Sequence, residues 1–429
     1  MRRIMPAMHA LHVIQRYYPY TGGSELYFQE IGEALVREGH RVTVLTTDAW
    51  DLDHFWAAGR RTLPPGETQH NGVRIVRFPV VRAPGPPLVY PLLRRMMVEL
   101  GRLPGSTALL RRLALLTPRV PGLVHYLATT REHYDLVHTT NITLDFTIIP
   151  ALRFAQRRGI PHLCTPFVHL GEPGSHAIVR YYAQPHQLDL LRRAARVIVQ
   201  TGREGDFLAA RGVPRERLRL VGCWVRPDQL AGGDGARFRR EQGIAGPIVL
   251  SIGVAAYDKG TPHTIEAMQR LWQAGCDATL VLIASNTMAQ FEAWYAGLPD
   301  ATRQRIRLLR SAPHQVKLDA LAAADVFALP SRTDSFGIVY LEAWCYALPV
   351  IGAWAGGVPD VIRDGEDGFL VRFGDVEALA ERLALLLGDP QRARAMGRRG
   401  RQRVLEHFTF EQRYARMRQV YREVGFGAP

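Results

Sequence analysis

Short apolar runs alternate with amphipathic segments along the first half of the chain. Strands are predicted by five β-rich runs: ALHVIQRYY (10–18), RVTVLTT (41–47), YDLVHTT (134–140), PHLCTPFVHL (161–170) and ARVIVQT (195–201). Between the first two runs, the segment from Ser24 to Glu38 has helical spacing and is closed by Gly39. Strands that alternate with helices in this way predict a parallel sheet covered by helices.

The second half of the chain repeats this rhythm without repeating the sequence. Its predicted strands are GPIVLSIG (246–253), ATLVLIAS (278–285), RIRLL (305–309), DVFALPS (325–331), LPVIGAW (348–354) and GFLV (368–371). We therefore predict an α/β protein with an N-terminal domain at 1–215 and a C-terminal domain at 216–407. The boundary is placed in the loops near 215–235, which are rich in glycine and proline. A basic helix pair fills about 390–425, and its last helix, 408–429, is expected to return to the N-terminal domain.

Composition limits the class of protein and its compartment. The 429 residues are 47% hydrophobic and suffice for two domains, and they contain no run of 18 apolar residues that would predict a spanning helix. The opening residues predict a first strand rather than a signal peptide, because Pro6, His9 and His12 interrupt the apolar run. The four cysteines are far apart and show neither disulfide nor zinc spacing, so a cytoplasmic location is expected.

The net charge of +14 predicts an anionic partner: nucleotide phosphates, anionic lipid or nucleic acid. The arginines are not interleaved with aromatic residues in any recognisable nucleic-acid module, so no nucleic acid is expected. Lys259 and Lys317 are the only lysines of the sequence. Lysine is a compact point charge suited to phosphate oxygens, and Lys259 precedes a predicted helix.

The segment at about 82–130 has a different composition and is predicted to be an insertion in the N-terminal domain. It contains seven arginines and one acid, Glu99. LLRRMMVELGRL (92–103) and ALLRRLALLTP (108–118) have the pattern of short basic amphipathic helices. One interpretation is an interfacial patch that touches an anionic membrane or a lipid-like acceptor. The other is a pair of helices packed on the domain with a solvated basic face, and the sequence leaves both open.

Glu342 is the only charged residue between Phe336 and Pro359. A lone carboxylate in so apolar a stretch is costly to bury without a partner. A helix is predicted to begin near Phe336, at the end of a buried strand, where parallel sheets bind phosphates. Glu342 would lie about two turns into this helix and could accept hydrogen bonds from two ribose hydroxyls. The alternative is an ion pair between Glu342 and an arginine.

The loop before this helix, SRTDSFG (331–337), carries the other candidate groups. The N–H groups of Phe336, Gly337 and Ile338 would point at an anion, and Gly337 would let it approach closely. Asp334 and Ser335 have N-capping as their alternative role.

Three further loops carry candidates. Lys259 lies in SIGVAAYDKG (251–260), the pair Gly22 and Gly23 in YYPYTGGSE (17–25), and His169 at the predicted end of a strand in TPFVHLGEPGS (165–175). The alternatives are a surface lysine, an ordinary turn and a structural histidine. No HExxH or CxxC pattern predicts a metal site, and no GxGxxG follows a strand to bind a nicotinamide cofactor.

Taken together, these motifs resemble those of the retaining glycosyltransferases of family 4. The family pattern is matched by Pro330-Ser331, Asp334, Phe336-Gly337 and Glu342, by Lys259-Gly260, by Gly22-Gly23 and by AGGVPDVIRDGEDGFLV (355–371). The resemblance covers most of the chain and is strongest from about 245 to 375. It implies the GT-B fold, with two Rossmann-like domains whose parallel sheets face a central cleft. The N-terminal domain would bind the acceptor and the C-terminal domain the donor.

The resemblance also implies a role for each matching residue. Glu342 would hold the ribose hydroxyls of a nucleotide-sugar, Asp334 would contact the donor sugar, and His169 would lie near the transferred sugar; these three are the predicted catalytic residues. The remaining donor-binding residues would be Gly22, Gly23, Lys259, Arg310, Ser311, Ser335, Phe336, Gly337 and Ile338. Lys259 would neutralise the diphosphate, and the loop at Arg310 and Ser311 would meet the base.

The reaction that the resemblance implies is transfer of a hexose from a nucleoside-diphosphate sugar, UDP- or GDP-linked, to an acceptor hydroxyl. The basic amphipathic segment at about 82–130 indicates a glycan or lipid-linked acceptor. The anomeric configuration would be retained, and neither a metal nor another cofactor is expected. The protein would be cytoplasmic, peripheral on the inner face of the membrane. Two alternatives stay open: a nucleotide-sugar epimerase of the same fold, and a non-catalytic homologue that binds a nucleotide-sugar.

Three positions depart from the family pattern. Asp334 is one methylene shorter than the usual glutamate, Val254 replaces the usual arginine after the strand-end glycine, and Gly222-Cys223-Trp224 replaces an asparagine-glycine stretch. These departures leave the donor sugar unidentified and keep reduced activity as an open outcome.

Overall fold

The computed structural model describes residues 7–20, 22–82, 88–116 and 118–426. Contacts divide the chain into two compact units. The first comprises the described residues up to Val168, the segment Ile178–Val221 and those from Tyr414 onward. The second comprises His169–Ala177 and Gly222–Arg413. The domain boundaries at 215/216 and 407/408 stay predictions, since compactness alone does not test where a domain folds independently.

A mainly parallel sheet forms the centre of the first unit. Among the described residues, its strands are β1 (His9–Val13), β2 (Arg41–Thr47), β3 (Gly66–His70), β4 (Val73–Phe78), β5 (Leu136–Thr140), β6 (His162–Thr165), β7 (Arg196–Val199) and β8 (Leu218–Leu220). Their order is β3-β4-β2-β1-β5-β6-β7-β8. Only the β3–β4 hairpin is antiparallel among these pairs. The sequence analysis missed this hairpin, because β3 is polar and exposed and has no apolar face to detect.

Helices cover this sheet, as the alternating pattern predicted. They are α1 (Gly23–Arg37), α2 (Val89–Leu100), α3 (Thr107–Ala114), α4 (Pro121–Thr129), α5 (Asp145–Arg158), α6 (Pro185–Arg193) and α7 (Gly202–Ala209). The central strands β1, β5 and β6 are buried along their whole length, which explains their near-continuous apolar runs.

The second unit contains an all-parallel sheet. Its strands within the described residues are β9 (Ile248–Ala255), β10 (Thr279–Thr287), β11 (Ile306–Arg310), β12 (Val326–Ala328), β13 (Val350–Ala353) and β14 (Gly368–Val371). Their order is β11-β10-β9-β12-β13-β14, and each pair is parallel. All six match strands predicted from the sequence, so the predicted α/β class with two parallel-sheet domains is confirmed.

The helices of the second unit pack around this sheet and lead to the end of the chain. They are α8 (Gly235–Gln242), α9 (Thr261–Gln273), α10 (Ala289–Ala296), α11 (Asp300–Gln304), α12 (His314–Ala323), α13 (Ile338–Cys345), α14 (Val358–Val361), α15 (Val376–Gly388) and α16 (Pro390–His407). The last helix, α17 (Phe410–Arg422), begins in the second unit and ends in the first. Helices α16 and α17 confirm the predicted basic helix pair.

Buried histidines lie on adjacent strands of the first unit. His12 is in β1, His138 in β5 and His162 in β6, and the hydroxyl of Tyr421 in α17 lies 2.8 Å from Nδ1 of His138 and 3.3 Å from Nε2 of His12. Nε2 of His162 lies 2.9 Å from the hydroxyl of Thr139. Burial lowers the pKa of His12 and of His162 to about 3, and lowers that of His138 well below its ordinary value. These imidazoles are therefore neutral at pH 7.

The basic insertion is anchored by ion pairs within the first unit. Arg94 of α2 lies 3.1 Å from one carboxylate oxygen of the fully buried Asp145, whose other oxygen lies 2.8 Å from Nε2 of His186. Arg111 of α3 pairs with Asp189. Both helices are confirmed, but these two arginines are used inside the unit and do not contribute to a solvated basic face. None of the described helices combines the length and the apolar character needed to cross a bilayer.

Candidate functional site

The strand order of the second unit creates a crevice at one point. From β9 the chain continues to β10 on one side, and β12 lies on the other side of β9. In open parallel sheets, ligands bind outside the carboxyl ends of the strands where the order reverses in this way. The loops that leave this point carry Lys259 after β9 and Asp334 after β12. The structure thus brings two separately predicted motifs to the same edge of one sheet.

Asp334 is paired with Lys259 at this edge. Nζ of Lys259 lies 2.9 Å from Oδ1 of Asp334. Burial raises the pKa of the Asp334 carboxyl, but the charge of Lys259 outweighs it, so the pKa of Asp334 is below its ordinary value. Oδ2 of Asp334 is buried and has no hydrogen-bond partner among the described residues. The carboxylate is therefore ionised and keeps one oxygen available as an acceptor.

Glu342 is paired with the second lysine of the chain. Nζ of Lys317 in α12 lies 2.9 Å from Oε1 of Glu342 in α13, and both side chains are largely buried. The cost of burying a lone carboxylate is met by this ion pair. The sequence analysis considered an arginine as the partner; the structure supplies a lysine. The helix begins at Ile338, near Phe336 as predicted, and Glu342 is its fifth residue, somewhat less than two turns inside it.

The start of α13 depends on Gly337. This residue caps the helix with φ 90°, in the left-handed region that favours glycine. Phe336 is buried and packs edge-on against Phe408, with ring centroids 5.9 Å apart. The first N–H groups of a helix have no intrahelical acceptor, so that of Ile338, the first residue of α13, is available to an anion, and Phe336 and Gly337 directly precede it. Ser335 is half-buried just before them.

His169 does not end a strand, contrary to the sequence analysis. Strand β6 ends at Thr165, since Pro166 has no N–H for the ladder and Phe167 has a left-handed φ of 48°. The chain then leaves the first unit, and His169–Ala177 belongs to the second. Burial and, next, the charge of Lys259 lower the pKa of His169 to about 4, against an opposing effect of Asp334. His169 is therefore a neutral imidazole close to the Lys259–Asp334 pair.

Backbone hydrogen bonds hold this segment beside Asp334. The N–H of Gly356 donates to the carbonyl of Gly171 at 2.8 Å, and the N–H of Gly357 donates to the carbonyl of Asp334 at 3.1 Å. Gly356 has φ 59°, and a Cβ there would lie 2.0 Å from the Asp334 carbonyl oxygen. Only glycine fits so close an approach. The motif AGGVPDVIRDGEDGFLV therefore has a structural function at this site.

Arg332 joins two further carboxylates that the sequence analysis missed. Its guanidinium lies 2.6 Å from Asp258 and 3.3 Å from Glu172. Burial lowers the pKa of Arg332, but these two carboxylates outweigh it and raise the pKa above the ordinary value. Arg332 follows Ser331 in the recognised motif, and Glu172 lies three residues after His169, so proximity in sequence to known candidates was the available signal.

Val254 lies near the end of β9, opposite Asn286 in β10. The arginine that the family pattern places here is absent. Arg332, at the same edge of the sheet, is bound by carboxylates on both sides and is not a free substitute.

Arg310 and Ser311 lie at the end of β11, at the sheet edge. The guanidinium of Arg310 makes a bidentate pair with Glu292, at 2.9 and 2.8 Å. Ser311 has a left-handed φ of 49°, and its N–H donates to the carbonyl of Ala284 at 2.7 Å. The side chain of Arg310 is thus engaged, and the predicted contact of this loop with a base would have to use its backbone.

Gly22 and Gly23 belong to the first unit, at the N-terminus of α1. A Cβ on Gly22 would lie 2.4 Å from Oε2 of Glu25. The Glu25 carboxylate lies 3.0 Å from the guanidinium of Arg16. The carboxylate beside the glycine pair is thus neutralised by an arginine. Among the residues that the structure describes, no group of three or more His, Cys, Asp or Glu side chains is placed to hold a metal ion.

Two family models match the chain. A model described as glycosyl transferases group 1 matches residues 236–403, and one described as glycosyl transferase 4-like domain matches residues 22–224. The match at 236–403 includes every candidate of the second sheet, and the match at 22–224 includes Gly22, Gly23 and His169.

Curated relatives point to the same group of proteins. The chain is 36% identical over 160 residues to a GDP-mannose-dependent monoacylated alpha-(1-6)-phosphatidylinositol monomannoside mannosyltransferase of Corynebacterium glutamicum, covering 36% of this chain and 41% of the relative. It is 27% identical over 403 residues to a D-inositol 3-phosphate glycosyltransferase of Acidothermus cellulolyticus, covering 87% and 80%. The chain spans about half the length, or less, of the three curated relatives that match it with the strongest statistics.

Solved structures of similar architecture cover almost the whole chain. A sucrose-phosphate synthase from Thermosynechococcus elongatus has a TM-score of 0.72 at 22% identity, covering 97% of this chain and 99% of that one. The Anabaena protein HepE in complex with UDP and glucose has a TM-score of 0.69 at 18% identity, covering 97% and 100%. At these identities the likeness shows the fold, and the predicted GT-B fold is confirmed.

Proposed function

Because the chain belongs to the family 4 glycosyltransferases, we propose that it transfers a hexose from a nucleoside-diphosphate sugar to an acceptor hydroxyl with retained anomeric configuration. The observation that carries the proposal is the pairing of Asp334 with Lys259 and of Glu342 with Lys317 at one edge of the second sheet. Each pair combines an acceptor for hydroxyl groups with a cation for phosphate oxygens. A nucleoside diphosphate linked to a sugar presents both kinds of group.

The proposed donor site assigns a part of the nucleotide-sugar to each group. Glu342 accepts hydrogen bonds from the ribose hydroxyls, and Asp334 accepts one from the sugar. Lys259 binds the diphosphate together with the N–H groups at 336–338. Positive charge on the protein then stabilises the departing diphosphate, and we propose that the reaction needs no metal ion.

The proposed chemical step takes place on one face of the sugar. The bond between the anomeric carbon and the phosphate oxygen breaks, and a bond from the acceptor oxygen to the same carbon forms. The leaving phosphate oxygen takes the acceptor proton, so the charges balance without a protein base. Because its imidazole is neutral, His169 contributes a hydrogen bond near the transferred sugar rather than a positive charge. The protein acts by positioning and by electrostatic stabilisation.

Uracil and guanine are the proposed bases of the donor. HepE was solved with UDP and glucose, and two relatives are named as GDP-mannose-dependent mannosyltransferases, which supports both. The experiment that identifies the base measures the melting temperature of the pure protein with UDP-, GDP-, ADP- and TDP-sugars. Each measurement is made with and without chelator. A ligand that binds only the folded state raises the melting temperature. A shift with none of them contradicts the donor site, and a shift abolished by chelator contradicts metal independence.

A lipid-linked glycan on an anionic membrane surface is the proposed acceptor. The phosphatidylinositol mannoside acceptors named for relatives support this class. In this chain, α2, α3 and their flanks expose the large apolar side chains Leu88, Leu92, Met96, Leu103, Leu109 and Leu116. Arg95, Arg102 and Arg112 are exposed in the same segment. Apolar side chains beside arginines are typical of a surface that rests on anionic lipid headgroups.

Sedimentation with vesicles tests the membrane surface. The protein should sediment with anionic vesicles and not with neutral ones, and the double variant Leu92→Asp/Leu109→Asp should lose this binding. Leu405 of the second unit is about as exposed as Leu109 and gives the control Leu405→Asp. Equal sedimentation with both kinds of vesicle contradicts the proposal.

Activity assays separate the proposed transferase from the two alternatives. Donor turnover that requires an acceptor indicates a transferase, whereas an epimerase converts the nucleotide-sugar without any acceptor. A non-catalytic homologue binds the nucleotide-sugar without turnover. Acceptor mixtures extracted from membranes, with radiolabelled donor, give the required assay.

A further inference from the structure

Glu172 lies at the proposed donor site, although the residues that match the family pattern in the sequence do not include it. It belongs to the segment His169–Ala177, which is part of the second unit. The consecutive residues Gly356 and Gly357 bond to the carbonyls of Gly171 and Asp334, respectively. Glu172 therefore follows a residue that is fixed next to Asp334.

One carboxylate oxygen of Glu172 is held in place and the other is not. Arg332 lies 3.3 Å from Oε1 of Glu172 and is itself fixed by Asp258 at 2.6 Å. Its guanidinium also lies over the ring of Phe373, 4.8 Å from the centroid. This rigid arginine orients the Glu172 carboxylate and leaves Oε2 unused.

Two carboxylate oxygens at this edge lack a hydrogen-bond partner among the described residues. They are Oε2 of Glu172 and Oδ2 of Asp334. Burying an unpaired carboxylate oxygen is unfavourable, so each is expected to acquire a donor when the site is filled. The side chains are 26% and 18% exposed, so neither carboxylate is closed off from a ligand.

We infer that Glu172 accepts a hydrogen bond from a hydroxyl of the donor sugar, beside Asp334, and that the pair selects a neutral hexose over a uronic acid. Hydroxyl groups supply the protons that the two oxygens lack, whereas a uronate has a carboxylate in place of one of these hydroxyls, and that group brings a third negative charge and has no proton to donate. Glu172 also supplies a second acceptor where Asp334 is one methylene shorter than the family's glutamate. The inference rests on the proposed function.

Binding of nucleotides with and without a sugar tests the inference. Dissociation constants are measured by calorimetry for UDP, UDP-glucose and UDP-glucuronate and for GDP, GDP-mannose and GDP-mannuronate. The proteins are the wild type, Glu172→Gln and the control Glu366→Gln, whose side chain is exposed and pairs with Arg363. Gln keeps the shape of Glu172 and removes its charge, and melting curves check that each variant folds.

The expected result is a change confined to the sugar. In Glu172→Gln, affinity for the hexosyl nucleotide falls about tenfold, affinity for the free nucleotide is unchanged, and discrimination against the uronate falls. Glu366→Gln matches the wild type. An unchanged ratio of the affinities for hexosyl and uronosyl nucleotides overturns the inference. If both affinities fall by the same factor, Glu172 has a structural role only. If the wild type binds neither nucleotide nor nucleotide-sugar, the proposed function itself fails.

Discussion

Lys317 and Glu342 form an ion pair that joins α12 to α13, with 2.9 Å between Nζ and Oε1. The two residues are 25 positions apart, and their side chains are 21% and 15% exposed. Glu342 is the acid that the proposed function assigns to the ribose. A carboxylate has about four acceptor positions, so it can bind Lys317 and ribose hydroxyls together. Lys317 thereby both orients Glu342 and reduces its repulsion of the nearby diphosphate.

Removing Lys317 should therefore weaken nucleotide binding. Lys317→Met should raise the dissociation constant of the stabilising nucleoside diphosphate about tenfold, the effect of losing roughly 1.4 kcal/mol. Calorimetry measures the constant. Arg394→Met removes the same charge from an exposed position and should have little effect. Tighter binding in Lys317→Met would mean that the lysine competes with the ribose, contrary to this argument.

Lys259 should contribute more to nucleotide binding than Lys317 does, because it is proposed to contact the negatively charged diphosphate directly. In Lys259→Ala the partly buried Asp334 also loses its cation and becomes an unpaired charge beside an anionic ligand. Removing one partner of such a pair typically costs about 2–5 kcal/mol, so affinity for a nucleotide-sugar should fall on the order of 100-fold. Lys259→Arg should retain part of the affinity. Calorimetry measures the dissociation constant of both variants. If Lys259→Ala binds with the affinity of the wild type, Lys259 is not part of the donor site.

The sequence predicted the candidates that lie in continuous motifs. Strand ends and helix starts are local features, so Asp334, Gly337 and Glu342 could be placed from a single stretch of chain. The sequence alone could not predict the ion pairs. Lys259 and Asp334 are 75 positions apart, and Arg332 and Glu172 are 160 apart. Such pairs depend on how distant loops pack at one sheet edge, and no local pattern records that.

The end of β6 shows a different limit of the sequence analysis. The apolar run PHLCTPFVHL continues to Leu170, but only His162–Thr165 forms the strand. A run of apolar residues indicates burial and does not distinguish a strand from a buried loop. Pro166 was the available signal, since proline is rare inside a central strand. The early end of the strand affects the candidate site, because His169 and Glu172 lie in the segment that belongs to the second unit.

The lowered pKa of His169 makes a prediction about pH. Burial and Lys259 lower this pKa to about 4, so the imidazole stays neutral from pH 5 upward. Affinity for a nucleotide-sugar should therefore show no transition near pH 6.5, the ordinary pKa of histidine. Binding measured from pH 5 to pH 8 checks this. A transition near pH 6.5 that disappears in His169→Asn would show that this imidazole is charged in the working protein.

The buried histidines of the first unit should make folding sensitive to acid. His12, His138 and His162 have pKa values far below 6.5 because burial disfavours the charged form. In the unfolded chain the pKa of histidine is about 6.5, so below pH 6.5 the unfolded chain binds protons that the folded chain does not. The stability contributed by these neutral histidines is therefore fully present above pH 6.5 and is lost as the pH falls toward the pKa values of the folded chain. Each such histidine adds up to about 1.4 kcal/mol of lost stability per pH unit.

Urea unfolding followed at pH 7, 6 and 5 measures this effect. The free energy of unfolding of the wild type should fall steeply between pH 6 and pH 5. His162→Gln, which keeps a donor for the hydroxyl of Thr139, should fall less steeply because one buried imidazole is gone. His176 is exposed, so His176→Gln should retain the wild-type slope. Equal slopes in all three proteins would mean that these imidazoles do not govern acid unfolding, and that carboxylates protonating at lower pH do so instead.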